Sequence, residues 1–245
     1  MKKLDNGALK VDGLLNDEGY VILHDTLGTD LTVVNAARVS YDKKSTEFTE
    51  KDKKLIDFLA REGHTSPFRH AMLQFEVYSP LMVARQHWKY LTGSSFTVAE
   101  GDNMQAWNES SRRYVTEQPT FYIPYADEWR SAPENSKQGS GEPINYDIGY
   151  DLTNELLNLV EDGERLYEQA LEQGVCAEQA RLFLPAYGMF VRYYWTASLQ
   201  SVCHFLNQRL AHDSQVEIQE YAKAVWELAK EKFPISVEKL VTEVN

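Results

Sequence analysis

The chain has 245 residues, 43% hydrophobic and 25% charged, which are ordinary values for a soluble globular protein with a substantial core. Its formal net charge of -12 argues against a broad nucleic-acid-binding surface, because such a surface needs clustered Lys and Arg. No apolar run approaches the ~20 residues that span a bilayer, and Met1–Asp5 lacks the apolar stretch of a secretory signal. Cys176 and Cys203 show neither metal-ligand nor disulfide spacing. We therefore expect a cytoplasmic protein without a membrane or nucleic-acid-polymer partner.

The front half carries the patterns of strands that alternate with helices. The helix that begins after residue 48 is the clearest, because Thr49 and Asp52 form a capping pattern and Gly63 suits a helix end. Alternating apolar and polar residues favour strands, and apolar stripes favour helices. The predicted elements are strand Gly19–Thr26, helix Leu31–Ser40, helix Thr49–Glu62, strand Ala71–Tyr78, and helix Leu81–Leu91, introduced by Ser79-Pro80 as N-cap and first helical position.

The middle of the chain is predicted to be rich in loops and the back half to be mainly helical. Ser95–Trp107 has the composition of an inserted loop, Tyr114–Ile123 of a returning strand, and Ala132–Ile144 of an exposed excursion. The mixture predicts an α/β or α+β enzyme with a central mixed sheet and a helical C-terminal half. The predicted helices are Leu152–Gln173, Ala177–Leu184, Leu199–Leu210 and Gln215–Phe233, with an aromatic stretch at Phe190–Trp195.

Several common site signatures are missing from the sequence. It has no Gly-x-Gly-x-x-Gly or P-loop for a nucleotide and no Gly-x-Ser-x-Gly elbow for a hydrolase. The histidines lack metal-ligand spacing, so no metal is expected; those considered are His64, His70, His204 and His212.

Two groups of cations are candidates for anion binding. Arg85 and Lys89 lie one helical step apart, so they either pair with separate carboxylates or share an anionic ligand. Asn108–Tyr114 combines short polar side chains with Arg112 and Arg113, whose planar donor forks suit a phosphate. The alternative for the second group is a polar turn before a strand.

Several short motifs occur in an order that is more specific than any one of them. Together they resemble the flavin-dependent thymidylate synthase (ThyX) family over roughly residues 30–230. The motifs are Ala36–Tyr41, Gly63–Phe68, Val83–Gln86, Asn108–Tyr114, Ala180-Arg181 with Leu184-Pro185, and His204–Arg209 followed by Gln215, Glu217-Ile218 and Tyr221-Ala222.

The resemblance implies a single ThyX-like domain over residues 1–245 and a reaction on a pyrimidine deoxynucleotide. Family members methylate dUMP at C5 with methylenetetrahydrofolate as carbon donor and FAD reduced by NADPH, and they are homotetramers with active sites where subunits meet. By position, the substrate residues would be Gln86, Lys89, Glu109, Ser111, Arg112, Arg113, Arg181 and Arg209, with Arg209 and Ser111 at the catalytic positions. The cofactor residues would be His64, Ser66, Lys89, Tyr90, Leu91, Ser198 and His204.

The resemblance assigns a role to each group. Arg113 and the neighbourhood of Ser111 would hold the phosphate, while Arg181 and Arg209 would hold and polarise the pyrimidine. No general base is evident beside Ser111, so we expect it to bind rather than attack. Simpler roles remain open: His64 could close the preceding helix, and the two latter arginines could pair with Glu178 and Asp213.

The departures from the family pattern cluster on the flavin and folate side. Lys89-Tyr90-Leu91 replaces an Arg-His-Arg triplet, Gln200 stands where arginine is common, and Arg69 where an acidic residue is common. The 95–107 insertion also breaks the usual spacing to the Ser-x-Arg element. Alternatives therefore stay open: a C5 hydroxymethylase, an enzyme acting on dCMP, a nucleotide-binding paralogue without catalysis, or an unrelated phosphosugar-binding enzyme.

Overall fold

One antiparallel sheet organises the molecule. The structure, a computed structural model, describes residues 1–93, 106–110, 118–134 and 139–243. The described strands lie in the order β1-β2-β3-β4-β6-β5, and every pairing between them is antiparallel, so the expected α+β class is confirmed but the expectation of a mixed sheet is wrong. The strands are β1 (Lys2–Lys3), β2 (Leu9–Leu14), β3 (Gly19–Leu27), β4 (Met72–Pro80), β5 (Ala106–Glu109) and β6 (Phe190–Ser198).

Two neighbouring inner strands, β4 and β6, each continue directly into a helix. β4 ends at Pro80 where the next helix begins at Leu81, and β6 ends at Ser198 where another begins at Leu199. The two strands are antiparallel, with Pro80 opposite Phe190 and Met72 opposite Ser198. The two helices therefore start at opposite ends of this strand pair. The helices are α1 (Asp30–Arg38), α2 (Glu50–Arg61), α3 (Leu81–Gly93), α4 (Tyr146–Glu172), α5 (Ala177–Ala180), α6 (Leu199–Arg209), α7 (Val216–Lys232) and α8 (Pro234–Leu240).

The aromatic stretch in the back half is the inner strand β6. Tyr193 and Trp195 are buried while Tyr194 between them is exposed, the alternation that a strand imposes on its side chains. The Trp195 ring stacks on Phe75 of β4 with 5.3 Å between centroids. The buried hydrophobic cluster joins this face of the sheet to α6 and α7.

The first family-like motif has a structural role. Arg38, the last residue of α1, pairs with Asp52 in the first turn of α2 at 2.7 Å. Asp52 also caps α2 together with Thr49, as the sequence predicted, and Gly63 beyond the helix adopts a φ of +69. Burial raises the pKa of Asp52, but hydrogen bonds from Thr49 and the charge of Arg38 outweigh it and lower the pKa overall. The pair therefore fixes α1 against α2.

Several predicted elements need correction. Ser79 and Pro80 end β4 instead of opening α3, and the region 118–123 forms only an isolated bridge at Phe121 rather than a strand. The helix expected over Ala177–Leu184 is a single α-turn followed by a 3-10 turn at Arg181–Phe183. Residues 95–105, 114–117 and 135–138 of the predicted loops and strand lie outside the described residues. Among the described helices, none is long and apolar enough to cross a membrane.

Candidate active site

A polar cavity of ≈690 Å³ lies where α3, the end of α6 and the start of α7 meet. We call it the polar cavity. It contains two of the sequence-predicted substrate residues, Gln86 and Arg209, although 123 positions separate them along the chain. The lining residues are Gln86, Gly139, Asn207, Gln208, Arg209, Ala211, His212, Asp213, Ser214, Gln215 and Glu243.

Hydrogen bonds join the side chains from these three elements. The Arg209 guanidinium donates through Nη1 to Gln86 Oε1 at 3.3 Å and to Ser214 Oγ at 3.5 Å. Gln86 donates through Nε2 to Oε1 of Gln215. The Gln86 amide therefore has a defined orientation, with its oxygen toward the guanidinium and its nitrogen toward α7. The guanidinium is positioned before any ligand arrives.

The turn between α6 and α7 is held by side chain-to-backbone hydrogen bonds. Gln219 Nε2 donates to the carbonyl oxygens of Ala211 at 2.9 Å and of Ser214 at 3.1 Å. Arg209 is the last residue of α6, where a cation interacts favourably with the helix dipole. Both effects keep the end of α6 at the mouth of the polar cavity.

A buried histidine anchors α3 directly behind Gln86. His87 Nδ1 lies 3.0 Å from the Tyr193 hydroxyl, and its ring stacks on Phe205 with 4.4 Å between centroids. Burial, with a smaller effect from the positive charge of Arg209, lowers the pKa of His87 to about 3. The ring is therefore neutral at physiological pH and links α3 to both β6 and α6.

Glu109 and Arg181 form a second group of predicted substrate residues. Trp107 of β5 stacks on Tyr193 with 3.9 Å between ring centroids, which places the exposed Glu109 two residues further along the strand. Partial desolvation raises the pKa of Glu109, while Trp107 and the charge of Arg181 lower it by less. Arg181 is exposed and donates through Nε to the backbone oxygen of Glu178 at 3.3 Å. Within the described subunit Arg181 does not line the polar cavity.

Arg85 shares a small cavity of ≈270 Å³ with Glu109. Trp88 and Trp107 also line it. Arg85 and Glu109 both line this cavity, and the two explanations for the Arg85 and Lys89 pair stay predictions. Lys89 is exposed on the same helix.

A third cavity, of ≈280 Å³, contains two of the predicted cofactor residues, and we call it the histidine cavity. His64 and His204 both line it, and burial lowers the pKa of His204. The backbone N–H of His64 also closes α2 on the Leu59 oxygen at 2.9 Å, while its ring packs against Phe58. The remaining lining includes Leu59, Ala60, Gly63, Thr65, Phe68, Gln200, Cys203, Asn207, Lys239, Leu240 and Thr242.

Gln200 leaves a buried acceptor at the histidine cavity. Its side chain is 6% exposed, and its Oε1 has no hydrogen-bond partner among the described residues. A buried amide oxygen without a donor costs about 1–3 kcal/mol, so this wall of the cavity fits a bound group with N–H or O–H donors. A flavin ring carries such a group, and the neighbouring imidazoles can contact its flat surface.

The other predicted site residues line neither the polar cavity nor the histidine cavity, or they lie outside the described residues. Ser66 is exposed in a 3-10 turn, and Ser198 is fully buried, where its Oγ accepts the Ser201 N–H at 3.2 Å as the cap of α6. Ser198 therefore has a structural role and faces neither cavity. Tyr90 and Leu91 lie on α3, but their side chains are outside the described set. Ser111, Arg112 and Arg113 lie entirely outside the described residues.

Comparison with known proteins shows the family. The model of the family described as Thy1, thymidylate synthase complementing protein, matches residues 21–235. This chain belongs to the Thy1 family. The resemblance drawn from its motifs is thereby confirmed.

Relatives of this Thy1 protein align over nearly its whole length. The flavin-dependent thymidylate synthase of Thermus thermophilus is 37% identical over 224 residues, 90% of this chain and 74% of the relative. That of Thermosipho africanus is 35% identical over 222 residues, 91% and 90% of the two chains. A solved structure of the UMP/dUMP methylase PolB from Streptomyces cacaoi, bound with 5-Br dUMP, has a TM-score of 0.77 at 25% identity and covers 93% of this chain and 97% of its own.

The Thy1 fold adds residues to which sequence reasoning gave no role. Gln215 stood in a motif without a function, and the structure shows that it orients Gln86. His87 and Trp107 were not singled out, because a buried histidine and a core tryptophan look like ordinary packing in a sequence. The adjacency of His87 to Gln86 on α3 was the available signal.

Proposed function

We propose that this Thy1 protein is a flavin-dependent thymidylate synthase that methylates dUMP at C5, with the pyrimidine bound in the polar cavity. The observation that carries the proposal is the pairing of Arg209 with Gln86 at 3.3 Å inside a cavity of ≈690 Å³. Relatives in Thermus thermophilus and Thermosipho africanus carry that enzyme name, and PolB is named a UMP/dUMP methylase. The hydroxymethylase and the non-catalytic paralogue are not favoured.

Arg209 would supply the electrostatic part of the reaction. Negative charge develops on the pyrimidine ring and its carbonyl oxygens when C5 becomes nucleophilic, and a fixed guanidinium stabilises that charge. Gln86 keeps the guanidinium in place and offers amide groups to the base edge. Because both side chains are held before substrate binds, little reorganisation accompanies the reaction.

The phosphate would be held by the Ser-x-Arg segment. We assign Arg113 to the phosphate, with Ser111 and Arg112 as neighbours that bind and do not attack, and Glu109, Lys89 and Arg181 to the rim of the substrate site. Arg113→Ala is expected to weaken dUMP binding by roughly 2–3 kcal/mol, because it removes a charge-assisted hydrogen bond. Isothermal titration with dUMP measures this, and an unchanged affinity in a folded variant removes Arg113 from the site.

FAD would lie on the histidine-cavity side. His64 and His204 line that cavity, and the buried oxygen of Gln200 offers an acceptor there. We also assign Ser66, Lys89, Tyr90 and Leu91 to the flavin side. When bound, FAD supplies hydride chemistry that no protein side chain provides, with NADPH as reductant and methylenetetrahydrofolate as carbon donor. The enzyme is proposed to be cytoplasmic, in keeping with its two free cysteines.

The protein would assemble as a homotetramer. Leu182, directly after Arg181, is 81% exposed, and Phe183 and Tyr187 beside it are also exposed. Helix α4 packs against this segment and exposes Tyr146, Ile148 and Leu159 in turn. So much apolar surface around a predicted substrate arginine suits a second copy that completes the site.

The decisive experiment is product analysis. The purified protein is incubated with FAD, NADPH, methylenetetrahydrofolate and dUMP, and the nucleotide is examined by mass spectrometry. A gain of one methyl group that needs all four components is expected. Parallel reactions with UMP and dCMP define the accepted base and sugar. A hydroxymethyl product would move the protein to the alternative chemistry, and an unmodified nucleotide would overturn the proposal.

A further inference from the structure

Among the described residues, Asn207 is the one that lines both the polar cavity and the histidine cavity. Arg209, on the same helix, lines the first cavity, and His204 lines the second. Asn207 lies between these two residues along α6, so it marks the place where the two cavities meet. In the proposed reaction, dUMP and FAD would lie on its two sides.

A second stretch of the chain also reaches both cavities. Lys239, Leu240 and Thr242 line the histidine cavity, and Glu243 lines the polar cavity. We call residues 239–243 the shared wall. Its one buried side chain is that of Val241, which is 8% exposed and belongs to the hydrophobic core. The residues that follow Val241 are exposed, so packing alone holds this part of the wall weakly.

The side chain of Asn207 holds the shared wall by its backbone. Its Nδ2 donates to the Leu240 oxygen at 2.7 Å, and its Oδ1 accepts the Thr242 N–H at 2.8 Å. The amide thus uses both its donor and its acceptor on the two sides of Val241, and its orientation is defined. These two bonds fix the wall against α6.

We propose that Asn207 is a positioning residue that fixes the shared wall for both ligands of the reaction. This inference rests on the proposed function, in which dUMP occupies the polar cavity and FAD the histidine cavity. A wall that is held in place before binding costs each ligand less conformational entropy. In the native chain neither ligand has to order the wall, so the wall adds no coupling between them.

The first test breaks the contact from the side of the wall. Thr242→Pro removes the N–H that Asn207 accepts and leaves Asn207 in place. Val241 has a φ of -100 and a ψ of 115, an extended conformation that suits a residue before proline. The affinities for dUMP and for FAD, each titrated without the other ligand, should both fall about fivefold, because a wall that has lost a hydrogen bond must be ordered by the ligand.

Thr242→Ala is the matched comparison at the same position. It keeps the backbone N–H and loses only the Thr242 hydroxyl, which lies 3.4 Å from Asn207 Oδ1. Isothermal titration with dUMP and fluorescence titration with FAD should show a loss of about twofold at most for this variant. If Thr242→Pro binds both ligands as tightly as Thr242→Ala does, the shared wall is not held through this contact and the proposal fails.

A rescue by the second ligand separates positioning from a general loss of structure. In Thr242→Pro the first ligand orders the wall, and the second ligand then binds to a wall that is already ordered. With saturating FAD, the dUMP affinity of Thr242→Pro should therefore return to within about twofold of the native value under the same conditions. A loss of dUMP affinity that persists undiminished in saturating FAD would overturn the proposal.

The second test breaks the contact from the side of α6. Asn207→Ala removes both hydrogen bonds, and adding Thr242→Pro to it should cause no further loss of affinity, because both changes act on one contact. Hydrogen-exchange mass spectrometry of the ligand-free chain should show faster exchange in Asn207→Ala for the peptide that contains Thr242. Additive losses, or an unchanged exchange rate, would contradict the proposed role of Asn207.

The same measurements separate this inference from the proposed function. A native chain that binds neither dUMP nor FAD contradicts the proposed function, and the role of the shared wall falls with it. A native chain that binds both, beside a Thr242→Pro chain with native affinities, leaves the proposed function standing and removes only the positioning role of Asn207.

Discussion

The two halves of helix α6 meet two different cavities, and they are built in different ways. At its C-terminal end, Arg209 is tied to Gln86 and Ser214 by side-chain hydrogen bonds. Its N-terminal half presents Gln200 and His204 to the histidine cavity, where a buried amide oxygen has no partner among the described residues. The first end keeps the residues expected of the family, and the second carries a departure. The end that carries Arg209 is thus organised by contacts within the described subunit, while the end proposed to face the flavin carries a buried acceptor without a described partner.

Replacing Arg209 should have the largest effect. Arg209→Ala is expected to lower kcat by about 10²–10³. The substitution removes the fixed positive charge that is proposed to lie beside the pyrimidine, where negative charge develops in the transition state. Steady-state kinetics on dUMP measure the loss. Arg165→Ala is the control, since that exposed arginine on α4 pairs with Asp162 at 2.8 Å and does not line the polar cavity. A variant that loses affinity for dUMP but keeps kcat would make Arg209 a binding residue alone.

The rigid end should also show a pH dependence through His87. Its pKa is about 3 when folded and 6.5 as the ordinary value, so the unfolded chain binds the extra proton between those limits. Stability from this group is full above pH 6.5 and falls by about 1.4 kcal/mol per pH unit below it, roughly 2 kcal/mol by pH 5. Urea unfolding of the native chain and of His87→Phe at several pH values measures the difference in slope.

Other titrating groups are shared by both proteins and cancel in that comparison. His70→Gln is the control, because His70 is exposed. Its slope should match that of the native chain. A His87→Phe protein whose stability falls as steeply as the native one between pH 6.5 and 5 would show that His87 is not the neutral anchor of α3.

Replacing Gln215 should have a smaller effect on dUMP binding, and it tests how the polar cavity is organised. Gln215→Leu removes the acceptor that orients Gln86, so dUMP affinity should fall by about 1 kcal/mol, roughly fivefold. Isothermal titration with dUMP measures this, and flavin affinity should not change. Gln173→Leu, an exposed position at the end of α4, should leave both affinities as they are. Equal losses of dUMP and flavin affinity would mean that the two cavities are not independent.

Gln200 tests the open end, with opposite effects on stability and binding. Gln200→Leu removes the buried oxygen, so the ligand-free chain should become more stable by up to about 1 kcal/mol. Flavin affinity should fall by a similar amount, because the acceptor offered to the cofactor is gone. Thermal unfolding and fluorescence titration with FAD give the two values. Reduced stability without a change in flavin affinity would assign Gln200 to the core.

Local structure could be predicted from the sequence where its determinants are close together, whereas the residues that meet in a site could not be predicted from local patterns. The Thr49 and Asp52 cap of α2 could be predicted because its determinants lie within four residues. Strand β6 could not, because its nearly continuous aromatic and apolar run lacks a clear period and lies between helices. The meeting of Gln86 with Arg209 came from the ordered motifs alone, since periodicity carries no information across 123 positions.

Other features depend on three-dimensional packing that no local pattern encodes. Ser198 matched a cofactor position, yet its hydroxyl oxygen accepts the Ser201 N–H as the N-cap of α6. It has this role because β6 ends at Ser198 and α6 begins at the next residue. The buried oxygens of Gln200 and Glu217 become evident only when all neighbours are known. Arg113 and the single domain over residues 1–245 stay predictions.

The direct passage from β6 into α6 restricts how this protein can evolve. Arg209 is the eleventh residue of a helix that starts without a loop from the sheet, so its direction is set by counting from Ser198. Deleting or inserting one residue within α6 would turn the guanidinium by about 100° and move it about 1.5 Å along the axis, away from Gln86. Insertions and deletions are therefore expected in the loops between elements, while the number of residues from the end of β6 to Arg209 is expected to stay constant.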